Sequence, residues 1–148
     1  MTVWCPYFRK DIDVLERVQR RATKMSTQLK RLTYQDRLIR LGLTTLEIRR
    51  ARGDLIQFYK IINGLEVVKW TRELRCIEDQ STSNTSARVL RRHNKHFYRE
   101  KPGLSSARDN FFINRVIPLW NELPASVKDA QTLNTFKAGL DSLEMFSI

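Results

Sequence analysis

Carboxylates are what this chain has too few of. Sixteen Asp and Glu stand against 27 Lys and Arg in 148 residues, a formal charge of +11 and a pI near 10.2. Such an imbalance points to a polyanionic partner such as nucleic acid, and says nothing about fold. Cysteine is almost missing: Cys5 and Cys76 lie too far apart in sequence, and are too few, for a disulfide framework. No apolar run is long enough to cross a bilayer, and the start of the chain has no signal-peptide core. An intracellular location, nucleus or cytoplasm, is therefore expected. Gly-rich phosphate loops, G-x-S-x-G and H-E-x-x-H are all absent, which removes the commonest independent active sites and any cofactor-binding pattern.

What the chain does have is enough apolar residue for a core. Hydrophobic content is 41% and charged content 29%, values of a globular domain rather than of a disordered one. The charge is uneven. Residues 1–64 hold 14 basic and 6 acidic side chains (+8), residues 65–110 hold 10 and 6 (+4), and residues 111–148 hold 3 and 4 (−1). The stretch from Asp11 to Lys24 concentrates the pattern. At helical spacing Ile12, Val14, Leu15, Val18, Ala22 and Met25 gather on one side, and Arg17, Arg20, Arg21 and Lys24 on another. Asp11 and Asp13 in the first turn and Lys24 in the last suit the helix dipole. The apolar side is expected to pack on a helix spanning Thr45 to Ile62.

Further signals place the other helices. Residues 1–10 are aromatic (Trp4, Tyr7, Phe8) and read as an apolar lead-in, like the middle of a longer chain. Thr33-x-x-Asp36 and Thr44-x-x-Glu47 have the form of capping boxes, with Gly42 and Asn63-Gly64 as stops. The apolar positions Ile48, Ala51, Leu55, Phe58, Tyr59 and Ile62 form one stripe, and Gly53 within it suggests close packing. Residues 65–105 lose the period. Gln80 to Ser86 is a polar loop, and Leu74–Ile77 can pair with Arg88–Arg99 as a short hairpin. Ser106-x-x-Asp109 caps a helix carrying Phe112, Val116, Leu119, Trp120 and Leu123, with a kink or break expected at Pro118 and an end at Pro124. A last helix from about Thr132 carries Phe136, Leu140 and Leu143. The expected fold is mainly α: a small helical cluster with a loop-rich middle. It divides into a basic helical subdomain (1–64), a polar basic segment (65–105) and a C-terminal packing unit (106–148), one domain in all.

The candidate binding residues are the cations: Arg17, Arg20, Arg21, Lys24, Arg49, Arg50 and Lys60 on helices, and Arg88, Arg91, Arg92 and Lys95 in the middle segment. Their chemistry neutralises phosphates without reading sequence, and His93, His96, Phe97 and Tyr98 add rings able to stack on bases. The plain alternative is a solvated face. Cys76, His93 and His96 suggest zinc but lack a fourth ligand, so no metal site is assigned. Most carboxylates read as caps or helix-surface partners, such as Asp54 four residues from Arg50. Phe111, Phe112, Trp120 and Phe136 read as core.

Four strings carry a resemblance: V-L-E-R-V-Q-R-R-A-T-K (14–24), L-T-Y-Q-D-R-L-I-R-L-G-L-T-T-L-E-I-R-R-A-R-G-D-L-I-Q-F-Y-K-I-I-N-G (32–64), N-F-F-I-N-R-V-I-P-L-W-N-E-L-P (110–124) and T-L-N-T-F-K-A-G-L-D (132–141). In this order they resemble the region C-terminal to the polymerase domain in endonuclease/reverse transcriptase proteins of animal non-LTR retrotransposons of the jockey-like kind. The likeness implies a place beside an RNA-directed DNA polymerase, with RNA or an RNA–DNA duplex as partner. The family's Tyr-x-Asp-Asp polymerase element and its endonuclease are absent here, so no catalytic residue carries over. The family's middle T-R-G-H also departs here, where Thr71-Arg72 continues as Glu73-Leu74. Two other readings stand beside this one: a helical protein-interaction module, and a retrotransposon remnant without selected function.

Overall fold

The computed structural model of the chain describes residues 5, 6, 8–69, 74–77, 95–99 and 106–146. Within them the fold is mainly α. The helices are α1 (Arg9–Ala22), α2 (Tyr34–Leu41), α3 (Leu46–Ile62), α4 (Ser106–Asp109), α5 (Phe112–Glu122), α6 (Ala125–Lys128) and α7 (Leu133–Asp141), followed by a 3-10 turn at Glu144–Phe146. No helix among the described residues is long and apolar enough to cross a membrane. Trp4, Tyr7, the Gln80–Ser86 run, Arg88, Arg91, Arg92 and His93 lie outside the described residues.

Local chemistry explains most boundaries. The Thr33 hydroxyl accepts from the Asp36 amide at 3.2 Å and opens α2, and Gly42, at φ 62°, closes it while the Leu43 amide reaches back to the Leu38 carbonyl at 2.9 Å. The next cap is one residue later than expected. Thr45, not Thr44, accepts from the Ile48 amide at 3.3 Å, so Glu47 sits too early in the helix to close a capping box and pairs with Arg9 instead. Gly64, at φ 70°, ends α3. Ser106 falls inside the short α4 rather than capping the long helix, and α5 starts at Phe112. Helix α5 continues through Pro118 to Glu122 without a break. Leu123 then turns extended before Pro124, and Thr132 caps α7 by accepting from the Thr135 amide at 3.1 Å.

Helix α3 is the hub, touching α1, α5, α7 and the terminal turn. Its stripe of Leu55, Phe58 and Tyr59 is buried against Val116, Ile117 and Trp120 of α5 and Phe136 and Leu140 of α7. Phe58 meets the Trp120 ring edge-on at 5.1 Å, Tyr59 stacks on Phe136 at 4.3 Å, and the Tyr59 hydroxyl donates to the Ala130 carbonyl at 2.7 Å. Asp54 is not a surface partner of Arg50. It is buried and accepts two bonds from Arg115 of α5, at 2.7 and 3.0 Å. Phe111 is 65% exposed rather than part of the core.

The core also holds the described middle residues in place. Cys76 and Phe97 form an isolated antiparallel bridge. The Asn121 side chain accepts from the Phe97 amide at 3.1 Å and donates to its carbonyl at 2.9 Å, while Trp120 Nε1 donates to the Lys95 carbonyl at 2.8 Å. Lys128 is buried beside them. Its ammonium donates to the Asn121 carbonyl at 2.9 Å, lies 3.4 Å from His96 Nε2, and is drawn below the usual lysine range by burial.

Gly53 is not a close-packing position, since a Cβ built there meets nothing within 4 Å beyond its chain neighbours and the backbone of its own helix. Gly53→Ala is therefore expected to raise unfolding stability by about 0.5–1 kcal/mol, the intrinsic helix penalty of glycine. Gly139→Ala should not do so, because its Cβ would stand 3.2 Å from Val127 Cγ2. Urea midpoints of the two variants check the contrast, and equal shifts would refute it.

Candidate nucleic-acid interface

Helix α1 touches α3, but only part of its apolar side is covered. Ile12 and Leu15 are half-buried, but Val14, Val18 and Met25 are 51%, 64% and 81% exposed, and Ala22 is exposed. The buried seam is polar: Glu16, Gln19 and Thr23 face the joint between α2 and α3. Gln19 Nε2 donates to the Thr44 carbonyl at 3.0 Å and to the Tyr34 hydroxyl at 3.2 Å. Glu16 accepts from the Leu46 amide at 3.1 Å and from the Tyr34 hydroxyl. The cause lies in the joint, where the start of α3 leaves backbone donors that need acceptors and favour a negative charge. Burial first, and then the Glu16 bond, push the Tyr34 phenol up to about 12.

With its polar seam inward, α1 turns its cations to solvent. Arg17, Arg21 and Lys24 are exposed, and none forms an ion pair among the described residues. Arg17 and Arg21, at i and i+4, stand about 6 Å apart along the helix axis, and Lys24 follows in the turn just past the end of α1, three cations for about three phosphates of one strand. Arg20 is also exposed, its guanidinium 4.8 Å from the centre of the Tyr34 ring. Glu16 is the nearest carboxylate in sequence, and its oxygens are already engaged.

The structure adds two residues that the sequence reading missed. Lys30 and Arg31 are exposed in the turn after α1. Buried Arg37 holds that turn, donating to Thr23 Oγ1 at 3.1 Å and to the Leu32 carbonyl at 2.6 Å. The available signal was a run without acid: residues 17–35 contain six Lys or Arg and no carboxylate.

Of the other candidates, Arg88, Arg91 and Arg92 lie outside the described residues, and the described ones differ in their surroundings. Arg49 is exposed on α3, whereas Arg50, about 100° further round the helix, is half-buried with one guanidinium nitrogen lacking a hydrogen bond. Lys60 is neutralised by Glu66 at 2.9 Å. Lys95 is structural, donating to the Lys128 carbonyl at 3.0 Å and lying 3.6 Å from the Asp129 carboxylate. Cys76 donates its thiol to the His96 carbonyl at 3.2 Å, and no group of three potential metal ligands occurs among the described residues. Compared with known protein families, curated proteins and solved structures, the chain has no match.

Proposed function

We propose that the chain is a non-catalytic accessory region of a retrotransposon reverse transcriptase, working in the nucleus or cytoplasm. In this reading α1 and the turn after it hold template RNA or an RNA–DNA duplex by its phosphates. The observation that carries the binding part is the exposed set of Arg17, Arg21 and Lys24 along and just after α1, without an ion pair among the described residues and within a carboxylate-free stretch. The four strings resembling the region behind the polymerase domain support the family part. Affinity of this kind is electrostatic: each neutralised phosphate releases counterions, so binding weakens linearly on a log–log salt plot.

Replacing Arg17, Arg20, Arg21 and Lys24 together by Gln is expected to lower the slope of log affinity against log salt by about 3, close to 0.7 per lost contact on single-stranded RNA. All four side chains are exposed, with the Arg20 guanidinium over the Tyr34 ring, so the unfolding midpoint should fall only by the loss of that one surface contact. A titration of labelled RNA at several salt concentrations reads the slope. An unchanged slope would rule out α1 as the binding face.

A further inference from the structure

Lys128 is a cation in the core, far from any binding face. It is 1% exposed, and its ammonium donates to the Asn121 carbonyl at 2.9 Å and lies 3.4 Å from His96 Nε2. An ammonium has protons to give and no lone pair. Nε2 can face it only as an acceptor, which puts the ring proton of neutral His96 on Nδ1. The backbone of His96 has a second task, its carbonyl accepting from the Ile77 amide at 2.9 Å and from the Cys76 thiol at 3.2 Å. His96 thus ties the Cys76–Phe97 bridge, by its backbone, to α6, by its ring.

A second proton on that ring removes the acceptor and sets imidazolium against ammonium at 3.4 Å, where water screens poorly. Burial already draws Lys128 below the usual lysine range, against the pull of Asp129. The Asp129 carboxylate is shared with a second cation, Lys95, 3.6 Å away. From α5, Trp120 and Asn121 present no charge, and neither does Phe58 from α3; Glu122, beside Asn121, is exposed. Between pH 7 and 5 carboxylates stay ionised, and lysines and thiols stay protonated, so among these groups the imidazole alone changes charge. We propose that His96 and Lys128 form a pH-operated latch: neutral His96 holds residues 95–99, and residues 75–77 paired with them, closed on α5 and α6, and protonated His96 releases them. The open segment then binds one more proton than the closed one. Closure is therefore favoured as pH rises and is lost as pH falls through the histidine range, from about 6.5 downward. The inference is independent of nucleic-acid binding, since it concerns the opposite end of the core.

The test follows amide hydrogen exchange of the full chain between pH 7.5 and 5, corrected for the intrinsic pH dependence of exchange. Protection of the Ile77, Phe97 and Tyr98 amides should fall by about tenfold or more, the linkage effect of a one-unit difference in proton affinity between the closed and open ring. Amides of α3 and α7 should keep their protection, and the His96 ring resonances should titrate over the same interval. His96→Gln keeps an acceptor for Lys128 but gains no proton, and Lys128→Met removes the repelling cation. Each should flatten the pH response, while His93→Gln, at the other histidine of the chain, should leave it in place. Constant protection across the range overturns the latch, as does a loss that persists in His96→Gln or Lys128→Met or disappears in His93→Gln. An equal loss in α3 and α7 overturns it in favour of global acid unfolding. Should Lys128→Met fail to fold, the unaltered chain still decides: amides that open where the His96 ring has not titrated rule the latch out.

Discussion

Asp54→Ala should cost about 3–5 kcal/mol of unfolding free energy, the loss typical of breaking a buried ion pair from one side. The Asp54 and Arg115 side chains are only 7% and 12% exposed, and the carboxylate receives two bonds from one guanidinium. Without Asp54, the Arg115 cation keeps the Asn110 carbonyl at 2.8 Å and the face of Phe112, but its counter-charge is gone from a site water barely reaches. A domain of this size has about 5–15 kcal/mol to lose, so the variant should be marginal near physiological temperature. The penalty comes from removing the carboxylate from one side of a buried pair and not from a large net gain of the pair. Replacing both residues together, Asp54→Leu with Arg115→Met, should therefore recover most of the loss. Urea unfolding of the single and double variants decides it. A single-variant loss below about 1 kcal/mol would place the pair with ordinary surface ion pairs.

Trp120→Ala should have an effect of similar size, about 3–5 kcal/mol, as expected for removing a fully buried large aromatic. Its ring is wholly excluded from solvent, edge-on to Phe58 and 5.8 Å from Phe136. It also ties the described middle residues to the core through the Lys95 carbonyl. Trp120→Phe keeps much of the ring and loses that bond, and should cost about 1–3 kcal/mol, the penalty for an unmet buried polar group. Hydrogen exchange separates the two roles. In Trp120→Phe the amides of Ile77, Phe97 and Tyr98 should exchange faster while those of α3 and α7 stay protected. If Trp120→Ala proves no worse than Trp120→Phe, the ring has no central packing role.

Single residues show where a linear reading works. Thr33, Gly42, Gly64 and Thr132 were legible as helix boundaries because a cap is a bond between neighbours. Phe58, Trp120, Phe136 and Leu140 were legible as core because large apolar side chains at helical spacing have few other places to go. Asp54 was misread because the pattern Arg50-x-x-x-Asp54 fits a surface pair equally well. Its real partner lies 61 residues away on α5. Thr44 was taken for a cap one residue early because two adjacent threonines carry the same signal. Which one caps depends on where the backbone turns helical, and here Thr44 offers its carbonyl to Gln19.

The basic face was half legible. That α1 is cationic on one side follows from the residues alone, and so does the carboxylate-free run behind it. Which cations are free does not: Lys60 and Lys95 looked like Arg17 and Arg21 until Glu66 and the Lys128 carbonyl were found beside them.

By itself, then, the sequence determined the helices, the apolar content of the core and the positive charge of the first two-thirds, because these depend on residue type and short-range spacing. Only the tertiary structure decided how α1 is turned. Its polar seam of Glu16, Gln19 and Thr23 answers unmet backbone groups at the α2–α3 joint, and satisfying buried hydrogen bonds there outweighs burying two valines. That choice leaves Val14 and Val18 exposed, and Arg17, Arg21 and Lys24 in solvent without an ion pair among the described residues. The surface on which the proposed function rests follows from that one rotation.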